Sequence, residues 1–99
     1  MTASTLDIGT LINRSPEIRG GRPRIAGTGV TVSRIAGWYK LGLGPEETAR
    51  RIGHLSLAQV YAALAYYHAN QAEIEEDLKS ENAEAERLEQ EHYAKRSSA

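Results

Sequence analysis

The spacing of apolar positions changes period along this chain, and each change marks a different kind of element. Leu6 to Asn13 (LDIGTLIN) alternates weakly and is short, which predicts at most one strand, after a Met1–Thr5 lead-in that frays. Arg24–Ala26 and Gly29–Val32 read as two further extended pieces, with Gly27 and Gly29 bracketing a kink. Strands this small need pairing from elsewhere, and pairing across a dimer twofold is one natural solution. Ser15-Pro16 and Gly20-Gly21-Arg22-Pro23 break the chain between these pieces.

From Ser33 the period becomes helical. A first helix runs to about Leu41, capped by Thr31 or Ser33 and stopped by Gly42, with Ile35, Trp38 and Tyr39 on its buried side. A second opens at Pro45, with Glu46 and Glu47 at the positive end of its dipole. Ala49 and Ile52 face inward, and Gly53 ends it. The third start is the most completely specified: Ser56 is the N-cap, Gln59 completes a capping box, and Leu55 and Val60 sit at the staple positions. No proline or glycine follows as far as Tyr93. Val60, Leu64, Tyr67, Ile74, Leu78, Ala85 and Leu88 keep a three-four spacing there, interrupted at Gln71 and Glu81. This predicts one long helix, or two with a soft point near Asn70 or Asn82. At ~1.5 Å per residue, a tail from Asn70 projects on the order of 35 Å beyond the head.

Composition changes this picture in one respect. Of the 99 residues 40% are hydrophobic, but 14 are alanine and none is phenylalanine, so large apolar side chains are scarce for a monomeric core. A homodimer that shares its core relieves the scarcity. Charge adds a second asymmetry beneath the net −1. Residues 1–68 carry eight basic groups against four acidic, a surplus of four; residues 69–99 carry four basic against nine acidic, a deficit of five. A basic head on an acidic tail suggests nucleic acid at one end and a different partner at the other; the bland alternative is a solvated helix beside a nearly neutral domain.

Several chemistries are excluded by what the chain does not carry. The absence of cysteine removes disulfides, thiolate zinc sites and cysteine nucleophiles. No cationic start leads into an apolar run and no stretch approaches membrane-spanning length, so a cytoplasmic protein with no membrane partner is expected. Gly27-Thr28-Gly29 and Gly42-Leu43-Gly44 each begin a dinucleotide pattern, but Val32 and Glu47 occupy the sixth position and no GK[ST] follows any glycine. His54, His68 and His92 lie far apart without carboxylates at ligand spacing, and the tail's acid pairs sit on a solvated helix. The expectation is no metal, no cofactor, no small-molecule substrate and no catalytic residue: not an enzyme.

What remains is recognition. The second helix, the turn Gly53-His54-Leu55 and the third helix match the length of a helix-turn-helix. That arrangement directs Ser56, Gln59 and Tyr61 to base edges, while Arg34, Arg50 and Arg51 grip phosphates and Arg22 and Arg24 meet the backbone from a basic loop.

Ile12-(x)3-Pro16-Glu17-Ile18-(x)-Gly20-Gly21-Arg22-Pro23-(x)-Ile25-(x)-Gly27-Thr28, then Val30-(x)-Val32, Gly42-Leu43-Gly44-Pro45-Glu46-Glu47 and Leu55-Ser56-Leu57-(x)2-Val60-(x)2-Ala63-Leu64-(x)-Tyr66, resembles the small bacterial family called domain of unknown function 433, over roughly residues 11 to 74. Gly29 stands where that family usually has arginine. The resemblance implies a dimeric helix-turn-helix-like domain of the VapB antitoxin kind. Such a protein is paired with a PIN-type ribonuclease that it blocks, and it represses its own promoter DNA. The expected architecture is therefore mainly α: a homeodomain- or winged-helix-like head over residues 1–69, with a short N-terminal β element, and an acidic helical tail over 70–99. On that tail Ile74, Leu78, Arg87, Leu88, Lys95 and Arg96 meet the toxin, the cations entering its carboxylate cluster. A stand-alone dimeric DNA regulator and a purely structural dimerisation module are the alternatives.

Overall fold

The structure, a computed structural model, describes residues 7–97, with side chains as far as Ala94. The Met1–Thr5 lead-in and the side chains of Lys95 and Arg96 lie outside the described residues. Two short strands, β1 (Ile12–Asn13) and β2 (Arg24–Ile25), pair antiparallel with Ile12 opposite Ile25 and Asn13 opposite Arg24. Arg24 also bridges to Thr31. The extended pieces thus find partners within one chain. Leu6, where the expected strand begins, lies outside the described residues; over 7–13 a short 3-10 turn (Ile8–Thr10) precedes β1, started by Asp7, whose carboxylate accepts the Gly9 N–H.

Helix α1 (Val32–Lys40) begins at Thr31, whose hydroxyl accepts the Arg34 N–H at 3.2 Å. Its buried side is Val32, Ser33, Ile35 and Ala36. Trp38 is only half-buried and Tyr39 is 42% exposed, so of the expected inward set only Ile35 is buried, and the buried face is centred on the first half of the helix. The cause is close packing on α1's other flank. A Cβ added at Gly37 would come 3.3 Å from Leu78, and that side of α1 faces the fourth helix. Helix α2 (Pro45–Ile52) carries proline in its first turn and ends at Gly53, which takes the left-handed conformation (φ 83°) open to glycine at little cost. Thr48 is buried, and Ala49 and Ile52 pack against the core.

Helix α3 (Leu57–Ala69) starts from the complete capping box. The Ser56 N–H donates to Gln59 Oε1 at 2.7 Å, and the Gln59 N–H donates to Ser56 Oγ at 3.2 Å. The soft point falls at Asn70, and α4 (Gln71–Ser97) runs unbroken through Asn82. Ile25, Val32, Ile35, Val60, Leu64, Tyr67 and Ile74 form one core. The presence of Ile74 there, with no exposure at all, places the start of α4 inside the packed unit, so a boundary at residue 69 would cut through the core. From Asn82 to Ala94 every position is exposed. The free part of α4 is thus shorter than a tail counted from Asn70, roughly 20 Å at ~1.5 Å per residue. It draws the molecule out to 64 × 29 × 27 Å.

Candidate functional site

The head's cations are the first candidates, and the fold distributes them unequally. Arg24 is 8% exposed, and its guanidinium donates to the Thr28 carbonyl at 2.6 Å and to Ser15 Oγ at 3.4 Å. It is an internal brace and cannot reach a phosphate. Arg22 faces three carboxylates of α4, Asp77 at 4.0 Å, Glu81 at 3.7 Å and Glu84 at 3.4 Å, so it clamps that helix to the head. Both residues therefore leave the expected DNA-contact set. Arg50 and Arg51 stand on the outer face of α2, each paired with Glu47, at 3.2 and 3.1 Å. Arg34 is exposed and lies over the Trp38 ring at 5.7 Å.

Ser56 and Gln59 are occupied by capping each other, which takes both out of the expected set of base readers. Tyr61 remains 51% exposed, but its neighbours are not cationic: α3 contains no Asp, Glu, Lys or Arg. A helix that reads DNA ordinarily brings positive charge to the groove, and this one brings none.

The inner half of α4 carries an acidic stripe beside its apolar one. Glu73, Asp77, Glu81 and Glu84 recur at helical spacing and face Arg14 and Arg22, while Glu75 on the other flank meets Lys40. Glu73 is hydrogen-bonded by Arg14 and by the Tyr66 hydroxyl, and these donors, Arg14 foremost, hold its carboxyl below the usual range. Glu75 accepts from Lys40 at 2.9 Å and from the Tyr67 hydroxyl at 2.7 Å and is likewise lowered, Lys40 contributing most. Asp77 is shifted upward, because burial of its charge outweighs the attraction of Arg22. Ser33, itself buried, donates to Glu81 at 2.8 Å. Much of the charge contrast read from the sequence is thus closed within one molecule.

Two features were not foreseen. Arg19 takes a left-handed backbone conformation (φ 53°), and its Nε donates to the Gly29 carbonyl at 3.0 Å. With Arg22, Arg34, Thr31, Glu81 and Glu84 it lines a cleft of about 260 Å³, whose three arginines are opposed by two carboxylates. The pairing of Arg14 with α4 was also missed, although the 73-77-81-84 spacing signals an acidic face in need of cations.

Of the expected toxin contacts, Ile74 is buried in the core and Leu78 is half-buried between α1 and α4, which removes the first and confines the second. Arg87 and Leu88 are free, Leu88 being 58% exposed, and Tyr93, 65% exposed, joins them on the projecting segment. Among the described residues no group of three or more His, Asp or Glu is placed to hold a metal, and no helix is long and apolar enough to cross a membrane.

Comparison with known proteins adds a family and a fold. The family model described as "Protein of unknown function (DUF433)" matches residues 12–67. A crystal structure of a DUF433 member protein from Anabaena variabilis superposes with a TM-score of 0.67 at 24% identity, over 71% of this chain and 69% of that one. No curated protein sequence matches.

Proposed function

We propose, for a chain that belongs to the DUF433 family, that it acts without catalysis as an antitoxin, its packed head holding out the distal half of α4 to a PIN-type ribonuclease. The observation that carries this reading is the segment 82–94, helical throughout, exposed at every position and continuous with a helix anchored in the core. Its charge keeps this segment solvated, but Leu88 and Tyr93 hold large apolar side chains out to water, and covering them is favourable. A PIN-type active site is a set of carboxylates holding magnesium or manganese around RNA. Arg87, followed in sequence by Lys95 and Arg96, supplies cations to that cluster, while Leu88 and Tyr93 bury apolar area at its rim.

The test is inhibition of the nuclease that co-purifies with the chain from its host. The chain lacking residues 82–99 should keep its helical signal and lose inhibition, and the Arg87→Glu variant should bind at least about tenfold more weakly. Inhibition by the truncated chain would end the reading.

Repression of its own promoter is the second part of the proposal, and it rests on Arg34, Arg50 and Arg51, exposed cations of the head that are not paired with α4. Three phosphate contacts predict a plot of log affinity against log salt with a slope near ~−3, and little sequence discrimination because two of the three base readers, Ser56 and Gln59, are engaged in the cap. Titration of promoter DNA at several salt concentrations checks it; a stand-alone regulator would show the same slope with no nuclease bound.

A further inference from the structure

Three arginines from three parts of the chain meet at the 260 Å³ cleft: Arg19 in the turn ahead of β2, Arg22 in the loop into β2, and Arg34 in the first turn of α1. Their states differ. Arg22 is the least exposed, at 22%, and is matched by the carboxylates of α4. Arg19 and Arg34 pair with no carboxylate among the described residues. Both are nevertheless held. Arg19 has a backbone conformation that side chains other than glycine's rarely adopt, and its Nε is bonded to the Gly29 carbonyl. A Cβ at Gly29 would touch its Nη2 at 3.4 Å, so the guanidinium lies along bare backbone. Neither of its Nη groups makes a hydrogen bond among the described residues. Arg34 is held from its other side by the Trp38 ring. With Glu81 and Glu84 as the only carboxylates lining the cleft, one positive charge stays unmatched there.

We propose that this cleft binds the phosphate group of a small phosphate monoester, Arg19 and Arg34 closing on its oxygens and Glu84 giving up its place on Arg22. Geometry and charge select the class. A carboxylate offers one planar edge and is filled by a single guanidinium fork, whereas a terminal phosphate offers three oxygens to donors arriving from three directions. Its charge of about −1.5 to −2 at pH 7 matches the two arginines that lack carboxylates. A nucleic-acid phosphate carries less charge and has chain on both sides, so it suits this set less well. Glu84 is 57% exposed and can swing away, while Glu81 is tied to the buried Ser33 hydroxyl at 2.8 Å. The body of the ligand has a place beside the cleft. Arg34 and Glu81 also line a groove of about 570 Å³ between α1 and α4, whose walls include Trp38, Leu41 and Leu78. An apolar group joined to the phosphate covers these side chains, of which Leu41 is 79% exposed. The inference goes beyond the antitoxin reading and stands without it, because none of the toxin contacts lines the cleft.

Isothermal titration of the full chain with phenyl phosphate tests it. One molecule per chain should bind, about tenfold or more tighter than inorganic phosphate and than the diester methyl phenyl phosphate. Arg19→Gln and Arg34→Gln, each with unchanged helical circular dichroism, should weaken binding by about tenfold or more through loss of a charged hydrogen bond. Glu84→Gln should tighten it by removing the competitor for Arg22, and Arg50→Gln, on the outer face of α2, should leave it unchanged. Binding that does not saturate overturns the proposal, as does a loss with Arg50→Gln equal to that with Arg19→Gln, or a weakening with Glu84→Gln. Diester binding as tight as the monoester overturns it in favour of a nucleic-acid backbone. Inorganic phosphate binding as tightly as the phenyl ester overturns it too, the cleft then taking an adventitious ion only.

Discussion

Ile74 and Leu88 belong to the same helix and continue the same three-four spacing, yet one is fully buried and the other is 58% exposed. Replacing Ile74 by alanine should cost about 2–5 kcal/mol of stability, whereas Leu88→Ala should change it by less than about 0.5 kcal/mol; urea unfolding of the two variants measures the contrast. The carboxylates of α4 differ in sign as well as degree. Glu73 and Glu75 hold a proton less readily folded than unfolded. The stability they contribute is full above the ordinary carboxylate range and is lost as pH falls through their lowered values. Asp77 works the other way: its raised pKa means that the charged form costs stability at neutral pH, a cost relieved as pH falls through that raised value. Asp77→Asn should therefore raise the melting temperature at neutral pH and Glu73→Gln should lower it; on acidification the first effect fades as pH falls through the raised value of Asp77, and the second persists until pH falls through the lowered value of Glu73. Lys40, raised chiefly by the hydrogen bond it donates to Glu75, keeps its contribution until pH climbs through its raised value.

At the scale of elements, what was legible is what is local. Pro45, the left-handed Gly53 and the Ser56–Gln59 box fix the ends of α2 and α3 from neighbours within four residues, and α2 and α3 begin where those signals place them. Ser56→Ala should cost about 1 kcal/mol in the same unfolding measurement, because it leaves the Gln59 N–H without its acceptor. What was not legible is what depends on distant residues. Whether Ile12 pairs with Ile25 or with a symmetry mate is decided by how the chain turns between them. The inward side of α1 is set by Leu78 pressing on Gly37, forty-one positions along. Apolar spacing in α4 announced a buried stripe but not where the burial stops. Removing residues 82–99 should leave the cooperative melt of the head nearly unchanged, while removing 70–99 should abolish it, since the second cut takes Ile74, Glu73 and Glu75 together.

For the molecule as a whole, charge is the quantity that sequence order misleads about. A surplus of four positive charges ahead of residue 69 suggests a basic face, but Arg14, Arg22 and Lys40 are directed at α4 and Arg24 is enclosed. The balance that a partner meets is therefore smaller on the head and more negative along the distal helix than the arithmetic of segments implies. The docking of the first turns of α4 has one more consequence. Starting a helix in water is the unfavourable step, since several residues must be ordered before hydrogen bonds accumulate, whereas lengthening one that exists is nearly neutral. Ile74, Leu78 and the Arg22 clamp hold a finished nucleus at the base of the free segment. A peptide of residues 82–97 alone should be coil by circular dichroism, while the same residues in the intact chain propagate from a template. A partner that grips the far end then lengthens order already begun below it, and through that one unbroken helix its binding should raise the melting temperature of a head it never touches.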